Sequence, residues 1–304
     1  MIKNFEQMEQ LALSQPKQTV ALAAADSEEA LLAVEYARKK GLVDVHLVGN
    51  KENIQLLCQK NGMALSDYRL TDVADPAAAA AAAVALVREG EAQLLMKGLV
   101  ETSDFLKAVL DREKGLRGPD RLCALVAIEC ASVNKLLILG DVGTNIAPDV
   151  KVKASILESS FTVARAMGIK NPKAAVLCAN EHVKDSMPCT LEATELAGMS
   201  REGKISGIVE GPVSMDIAVN EHAALVKKYQ GLIQGDADIL LVPDLEAGNI
   251  LIKGLMYLSS DIRVAGVGMG AKVPLIQTSR GDDHDTKYYS IVLSSLVSQY
   301  LQTK

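Results

Sequence analysis

The sequence predicts an α/β protein of two domains, each a mostly parallel sheet with crossover helices. Short runs rich in Val, Leu and Ala alternate with helix-length segments from one end of the chain to the other, the pattern of repeated strand–helix–strand units. The helix-length segments carry capping and stop residues at the expected ends. The 304 residues are also more than one core serves well, because single hydrophobic cores stop growing near this size.

Taken in order, Thr19 to Ala24 reads as the first strand. Ser27 to Lys40 reads as a helix capped by Ser27 and stopped by Gly41, and Asp44 to Val48 as the next strand. Asp75-Pro76 opens a helix containing seven consecutive alanines, Ala77 to Ala83, with the N-cap acid and first-turn proline that helix starts favour. Its small side chains let helix and sheet approach closely. Gln93 to Met96 is a strand ending at Lys97-Gly98, followed by a helix from Ser103 to about Leu110. Two apolar runs, Leu122 to Ile128 and Lys135 to Leu139, come next. After Gly140-Asp141-Val142-Gly143 a long helix from Asp149 to Met167 opens the second α/β domain. That domain continues through strands at Ala174 to Cys178, Gly207 to Val209, Asp238 to Val242 and Ala265 to Val267. Leu275 to Gln277 is the last strand, and Asp283 to Leu301 the last helix.

Bulk properties exclude several classes of function. Hydrophobic residues make up 49% of the chain, yet no uninterrupted apolar run reaches the ~18 residues of a membrane span. The segment Met1 to Gln18 carries Glu6, Glu9 and Lys17 and lacks the apolar core of a secretory signal. No membrane partner is expected. The net charge is −6, with 32 basic and 38 acidic residues interspersed, so no basic stripe tracks a phosphodiester backbone. Trp is absent and aromatics total 3%, which leaves few platforms for base stacking. No nucleic-acid partner is expected either. Cys58, Cys123, Cys130, Cys178 and Cys189 are odd in number and lack Cys-x-x-Cys spacing, which fits a reducing cytoplasm better than a disulfide framework or a zinc knuckle. His46, His182, His222 and His284 are scattered, so no metal site is expected.

Polar or glycine-rich turns follow directly after apolar strands at Lys97-Gly98, Asp141-Val142-Gly143, Gly211-Pro212, Pro243-Asp244 and Ser279-Arg280. In an open α/β sheet, ligands bind at the carboxyl ends of the strands, so a cleft between the two domains is the expected site. Thr278-Ser279-Arg280-Gly281-Asp282-Asp283 offers a hydroxyl that can donate to an oxyanion, a guanidinium that can grip phosphate bidentately, and carboxylates that can take a proton. A hydroxyl residue before a charged helix is also an ordinary N-cap. Gly266-Val267-Gly268-Met269-Gly270-Ala271-Lys272 lacks dinucleotide spacing and no helix follows it, but a turn there would let backbone amides and Lys272 approach an anion.

The string Gly235 to Ile250, containing Pro243-Asp244-Leu245-Glu246-Ala247-Gly248-Asn249-Ile250, together with Leu95-Met96-Lys97-Gly98, Gly211-Pro212 and Asp216, resembles the phosphate acetyl/butyryltransferase family over nearly the whole chain. The ending from Thr278 to Lys287 is more similar to the butyryl branch. The resemblance implies two Rossmann-like parallel-sheet domains with an interdomain cleft, the isocitrate dehydrogenase-like architecture. The first domain would comprise residues 1–140 plus 276–304 and the second 141–275.

It also implies exchange of coenzyme A and phosphate on a short-chain acyl group, by direct transfer in a ternary complex. Coenzyme A is a substrate here and no cofactor is tightly bound. Arg280 would hold the phosphoryl group and Ser279 would stabilise the carbonyl oxygen. The acetyl branch's catalytic Asp falls on Thr286 in this chain, so the base is Asp285 or, second, Asp282. Lys97, Thr102, Ser103, Lys107, Asp216, Asn249 and Lys272 are the implied substrate-binding residues. Lys107 stands where the acetyl branch has Arg, a point charge in place of a planar fork; Arg117 is a second basic candidate. The implied partners are acyl-CoA and phosphate, other copies of the chain in a homodimer or higher oligomer, and an acyl kinase in metabolism. Rival readings are a phosphate acetyltransferase, a same-fold oxidoreductase that would need nicotinamide and a divalent metal, and a non-catalytic acyl-CoA binding protein.

Overall fold

The computed structural model describes residues 2–279 and 281–303. Among them the strands are, in chain order, β1 (Gln18–Ala23), β2 (Val43–Gly49), β3 (Arg69–Asp72), β4 (Leu94–Lys97), β5 (Cys123–Cys130), β6 (Val133–Gly140), β7 (Lys173–Leu177), β8 (Ile208–Val213), β9 (Ile239–Leu241), β10 (Ile262–Met269) and β11 (Leu275–Ile276). The chain divides into two compact units. One comprises Met8–Pro119 with Ala265–Lys304, and the other Met1–Gln7 with Asp120–Val264.

In the unit that carries the chain's last helix, the strand order is β3-β2-β1-β4-β11-β10. All pairs are parallel except β10–β11. Leu22, Leu47, Leu94, Leu95 and Met96 are wholly buried in its core, as the apolar strand runs require. The alanine-rich helix Pro76–Arg88 starts where the sequence predicts, with the Asp75 carboxylate accepting the Ala78 N–H at 2.7 Å. Its Ala79, Ala80 and Ala83 are fully buried, so the short side chains line the contact face. The helix His284–Gln302 buries most of its length from Lys287 to Ser298. Two of its buried hydroxyls bond to the sheet side: Ser298 Oγ accepts from Gln18 Nε2 at 2.9 Å, and Ser290 Oγ accepts the Gly266 N–H at 2.9 Å.

In the other unit the order is β5-β6-β9-β7-β8. There β5 and β6 form an antiparallel pair, while β6–β9, β9–β7 and β7–β8 are parallel. The long helix Val150–Ala166 is capped by Asp149, which accepts the Val152 N–H at 2.8 Å.

Three expectations are modified. The two apolar runs Leu122 to Ile128 and Lys135 to Leu139, expected within the first domain, become an antiparallel hairpin, and β6 pairs with β9 through Ile138–Ile239. That pairing commits the hairpin to the later strands, so the units change over at Pro119/Asp120 and Val264/Ala265 rather than at 140 and 275. The strand expected at Ala265 to Val267 runs on to Met269, so the turn of the glycine-rich segment begins only at Gly270. Gly266 and Gly268 lie in β10, and Gly268 sits where an added Cβ would meet the Leu275 Cβ at 3.0 Å. Helix Phe5–Leu13, near the start of the chain, was not anticipated.

Candidate active site

The site builds up from parallel pairing. Because β4 runs parallel to β11, with Leu95 opposite Leu275 and Met96 opposite Ile276, the turns that follow leave the sheet at one edge. Lys97-Gly98 thus lies beside the start of Gln277-Thr278-Ser279, far away in sequence. On the other side of β4, Ala23 pairs with Lys97, and the chain turns at Ala24 with φ 51°. Gly98 and Leu99 donate their N–H groups to the Ala23 and Ala24 carbonyls, each at 2.8 Å. A Cβ at Gly98 would stand 2.3 Å from the Ala24 oxygen, so only glycine permits this approach.

Lys97 is half-buried, and its ammonium donates to the Val100 carbonyl at 3.0 Å and to the Gly98 carbonyl at 3.3 Å. It therefore braces the turn leading into helix Thr102–Val109. Thr102 and Ser103 are exposed on the first turn of that helix, and Lys107 is exposed on its last. Lys272 is exposed as well, but its backbone N–H is occupied by the Leu116 carbonyl at 2.8 Å. Arg117 Nε donates to the Leu110 carbonyl at 2.5 Å.

The turn after β11 is internally tied. The Ser279 N–H donates to Asp282 Oδ2 at 2.6 Å, and the Asp282 N–H returns to the Ser279 carbonyl at 3.2 Å. The Ser279 side chain is exposed. Arg280 lies outside the described residues. Asp283 is the N-cap of the final helix, accepting the Thr286 N–H at 2.7 Å. Asp282 therefore precedes the helix and does not share a helical face with Asp285: its carboxylate turns back onto Ser279. Asp285 sits in the first helical turn with its side chain 68% exposed, 3.8 Å from His284 Nδ1.

Asp216 and Asn249 belong to the other unit, again just past strand ends. Asp216 lies on helix Met215–Val219 after β8. It accepts from Ser214 Oγ at 2.6 Å and forms an ion pair with Lys227 at 2.9 Å. Lys227 also pairs with Glu181 at 3.0 Å, and Ser214 Oγ donates to the same carboxylate. The Ser214 hydroxyl and Lys227 ammonium hold the Asp216 carboxyl below the usual carboxylate range, and the two acids in turn raise Lys227. Asn249, on helix Leu245–Leu258 after β9, donates to the Val142 carbonyl at 3.1 Å. That contact ties the helix start to the Asp141–Gly143 turn. Asp141, 3% exposed, gathers N–H groups from Ala124, Gly143, Thr144 and Asn145. At Gly248 a Cβ would come within 2.8 Å of the Asp141 carbonyl.

Sequence reasoning passed over Glu181, Ser214, Lys227 and Lys287 as site residues. Of these, Lys287 alone carried a signal, since it closes the Thr278–Lys287 ending. Among the described residues no group of three or more His, Cys, Asp and Glu is arranged to hold a metal ion, and no helix is long and apolar enough to cross a membrane.

A family model described as phosphate acetyl/butaryl transferase matches residues 68–295. A phosphate butyryltransferase of Clostridium acetobutylicum is 40% identical over 98% of this chain and 99% of its own length. A phosphate acetyltransferase of Thermotoga maritima is 36% identical over 96% and 99%. The crystal structure of a branched-chain phosphotransacylase from Enterococcus faecalis superposes with a TM-score of 0.82 at 32% identity, covering 92% of this chain and 99% of that one. Matched over most of its length by the family model and by relatives 36% and 40% identical to it, the chain belongs to the phosphate acetyl/butaryl transferase family.

Proposed function

We propose that this acyltransferase exchanges coenzyme A and phosphate on a short-chain acyl group, with butyryl as the preferred chain: butyryl-CoA and phosphate give butyryl phosphate and CoA. The observation that carries the reading is the pairing of β4 with β11, which sets a lysine-bearing turn beside the hydroxyl-bearing turn at Ser279. An acyl phosphate needs both a cation for its phosphoryl oxygens and a donor for its carbonyl oxygen.

In the direction of thioester synthesis, the CoA thiol gives its proton to Asp285, with Asp282 as the second choice. The thiolate attacks the acyl carbon, the Ser279 hydroxyl donates to the oxyanion, and phosphate departs with the C–O bonding pair into the grip of Arg280. Lys97, Thr102, Ser103, Lys107 and Lys272 are proposed to bind the phosphate and coenzyme portions, and Asp216 and Asn249 to wall the site. Coenzyme A enters as a substrate, and no bound cofactor is part of the scheme. The exposed apolar helix Leu245–Leu258 supports self-association of the chain. Its product, a mixed anhydride of high transfer potential, fits metabolic pairing with an acyl kinase, and a cytoplasmic location belongs to the same reading.

A thioester-absorbance assay across acetyl-, propionyl-, butyryl- and isobutyryl-CoA tests it. Thioester loss should require phosphate or arsenate, need no added metal or nucleotide, and be fastest with the four-carbon chains. Phosphate-independent hydrolysis as the main activity would refute the reading, and fastest turnover of acetyl-CoA would favour the acetyl branch.

A further inference from the structure

Lys287 is 4% exposed, on the second turn of the final helix. Taking an ammonium out of water is costly unless acceptors replace its hydration, and Lys carries three N–H donors and no acceptor. Among the described residues its ammonium has one acceptor, the Asp282 carbonyl. A leucine or methionine would fill a core position at less cost, so burial of this cation calls for a reason outside packing.

The acceptor supplies one. Asp282 is the residue whose carboxylate takes the Ser279 N–H at 2.6 Å and whose N–H returns to the Ser279 carbonyl at 3.2 Å. Lys287, Asp282 and Ser279 therefore form a chain of hydrogen bonds that runs from the buried body of the helix to the Ser279 backbone, which carries the exposed side chain. Lys97 does the same for the neighbouring turn, donating to the Val100 and Gly98 carbonyls. The Lys97 turn and the Ser279 turn, neighbours at this edge of the sheet, are thus each held by an ammonium bonded to backbone oxygen.

We infer that Lys287 is a positioning residue for the phosphoryl step, fixing the Ser279–Asp282 turn and keeping a buried positive charge beneath it for a phosphate dianion. This rests on the phosphate acyltransferase reading. Misplacing a reacting group by about an ångström can cost on the order of 100-fold in rate, so a brace of this kind is felt in turnover more than in folding.

The test compares Lys287→Met and Lys287→Arg with the wild-type chain, using butyryl-CoA and inorganic phosphate, alongside thermal melts. Lys287→Met is expected to lose at least ~30-fold in kcat/KM for phosphate while its KM for butyryl-CoA stays within about threefold and its melting temperature changes by only a few degrees. Lys287→Arg, which keeps the charge, should recover part of the loss. An active wild type with an equally active Lys287→Met overturns the inference. So does the unfolding of both variants, which would make Lys287 a fold element. An inactive wild type removes the functional reading itself, and the inference with it.

Discussion

Asp285 and Asp282 carry carboxylates in unlike settings. Asp285 projects from a first helical turn, 68% exposed and 3.8 Å from His284 Nδ1, whereas the Asp282 carboxylate is bonded to the Ser279 amide. A general base must be unencumbered enough to take a proton; a turn brace need not be. Asp285→Asn is accordingly expected to lower the turnover number at least ~30-fold with little change in the Michaelis constants, because general base catalysis contributes a factor of this order or more. Asp282→Asn keeps an oxygen that accepts the Ser279 N–H, so only a few-fold loss is expected. Steady-state kinetics on both variants and on the double variant decide the matter, and full activity in all three would return the thiol's proton to solvent. Cys123 and Cys178 are no rival nucleophiles: burial first of all pushes their thiols up to about 12, so neither is a thiolate at neutral pH.

At the scale of the element, helix Glu28–Lys39 is anchored by Glu35, whose buried carboxylate meets Arg38 at 2.7 Å, Lys39 at 3.1 Å and the Tyr68 hydroxyl at 2.5 Å. Burial alone would raise its pKa, but the bonds from Arg38, Tyr68 and Lys39 outweigh it and lower it from 4.5 to about 2. A depressed folded-state pKa contributes stability above the unfolded value, and that contribution is lost as pH falls through the folded one. Glu35→Gln should therefore cost about 2 kcal/mol at neutral pH and flatten the fall in stability between pH 4.5 and 2. Urea melts across that range measure it; parallel wild-type and variant curves would show that the carboxylate is not the acid-sensitive anchor.

For the whole molecule, helix Leu245–Leu258 presents Ile250, Tyr257 and Leu258 at 71%, 73% and 89% exposure. Leu251, Leu255 and Met256 pack only partly against the core below. Gly254, between them, has open space where a Cβ would be, so another helix can approach its backbone. The three exposed side chains, spaced at helical periodicity, form an apolar stripe of the kind that marks an interaction surface. A two-fold axis across the helix would set Ile250 against Leu258 of a second copy. We expect the chain to sediment as a dimer or larger oligomer, and the Tyr257→Ser/Leu258→Asp variant to sediment at lower mass with unchanged circular dichroism. A monomeric wild type would show that this face is left uncovered.

Much of this was legible in the residues themselves. Ser27, Asp75, Asp149 and Asp283 cap the helices that their local chemistry announces, because a cap needs only a side-chain oxygen and the amide three residues on. The alternation of strand and helix determined the α/β class, and the Pro243–Ile250 string determined the family. Tertiary structure alone decided that the β5–β6 hairpin joins the later strands, that Asp282 turns back onto Ser279 instead of extending the helix, and that Lys287 is buried under that turn. It also set Lys97 next to the Ser279 turn through the β4–β11 pairing. For the strand pairings and the burial of Lys287 the physical reason is the same. Caps and periodicity are short-range properties, written in residues a few positions apart, whereas strand order and the burial of a polar side chain depend on which distant segments pack against it.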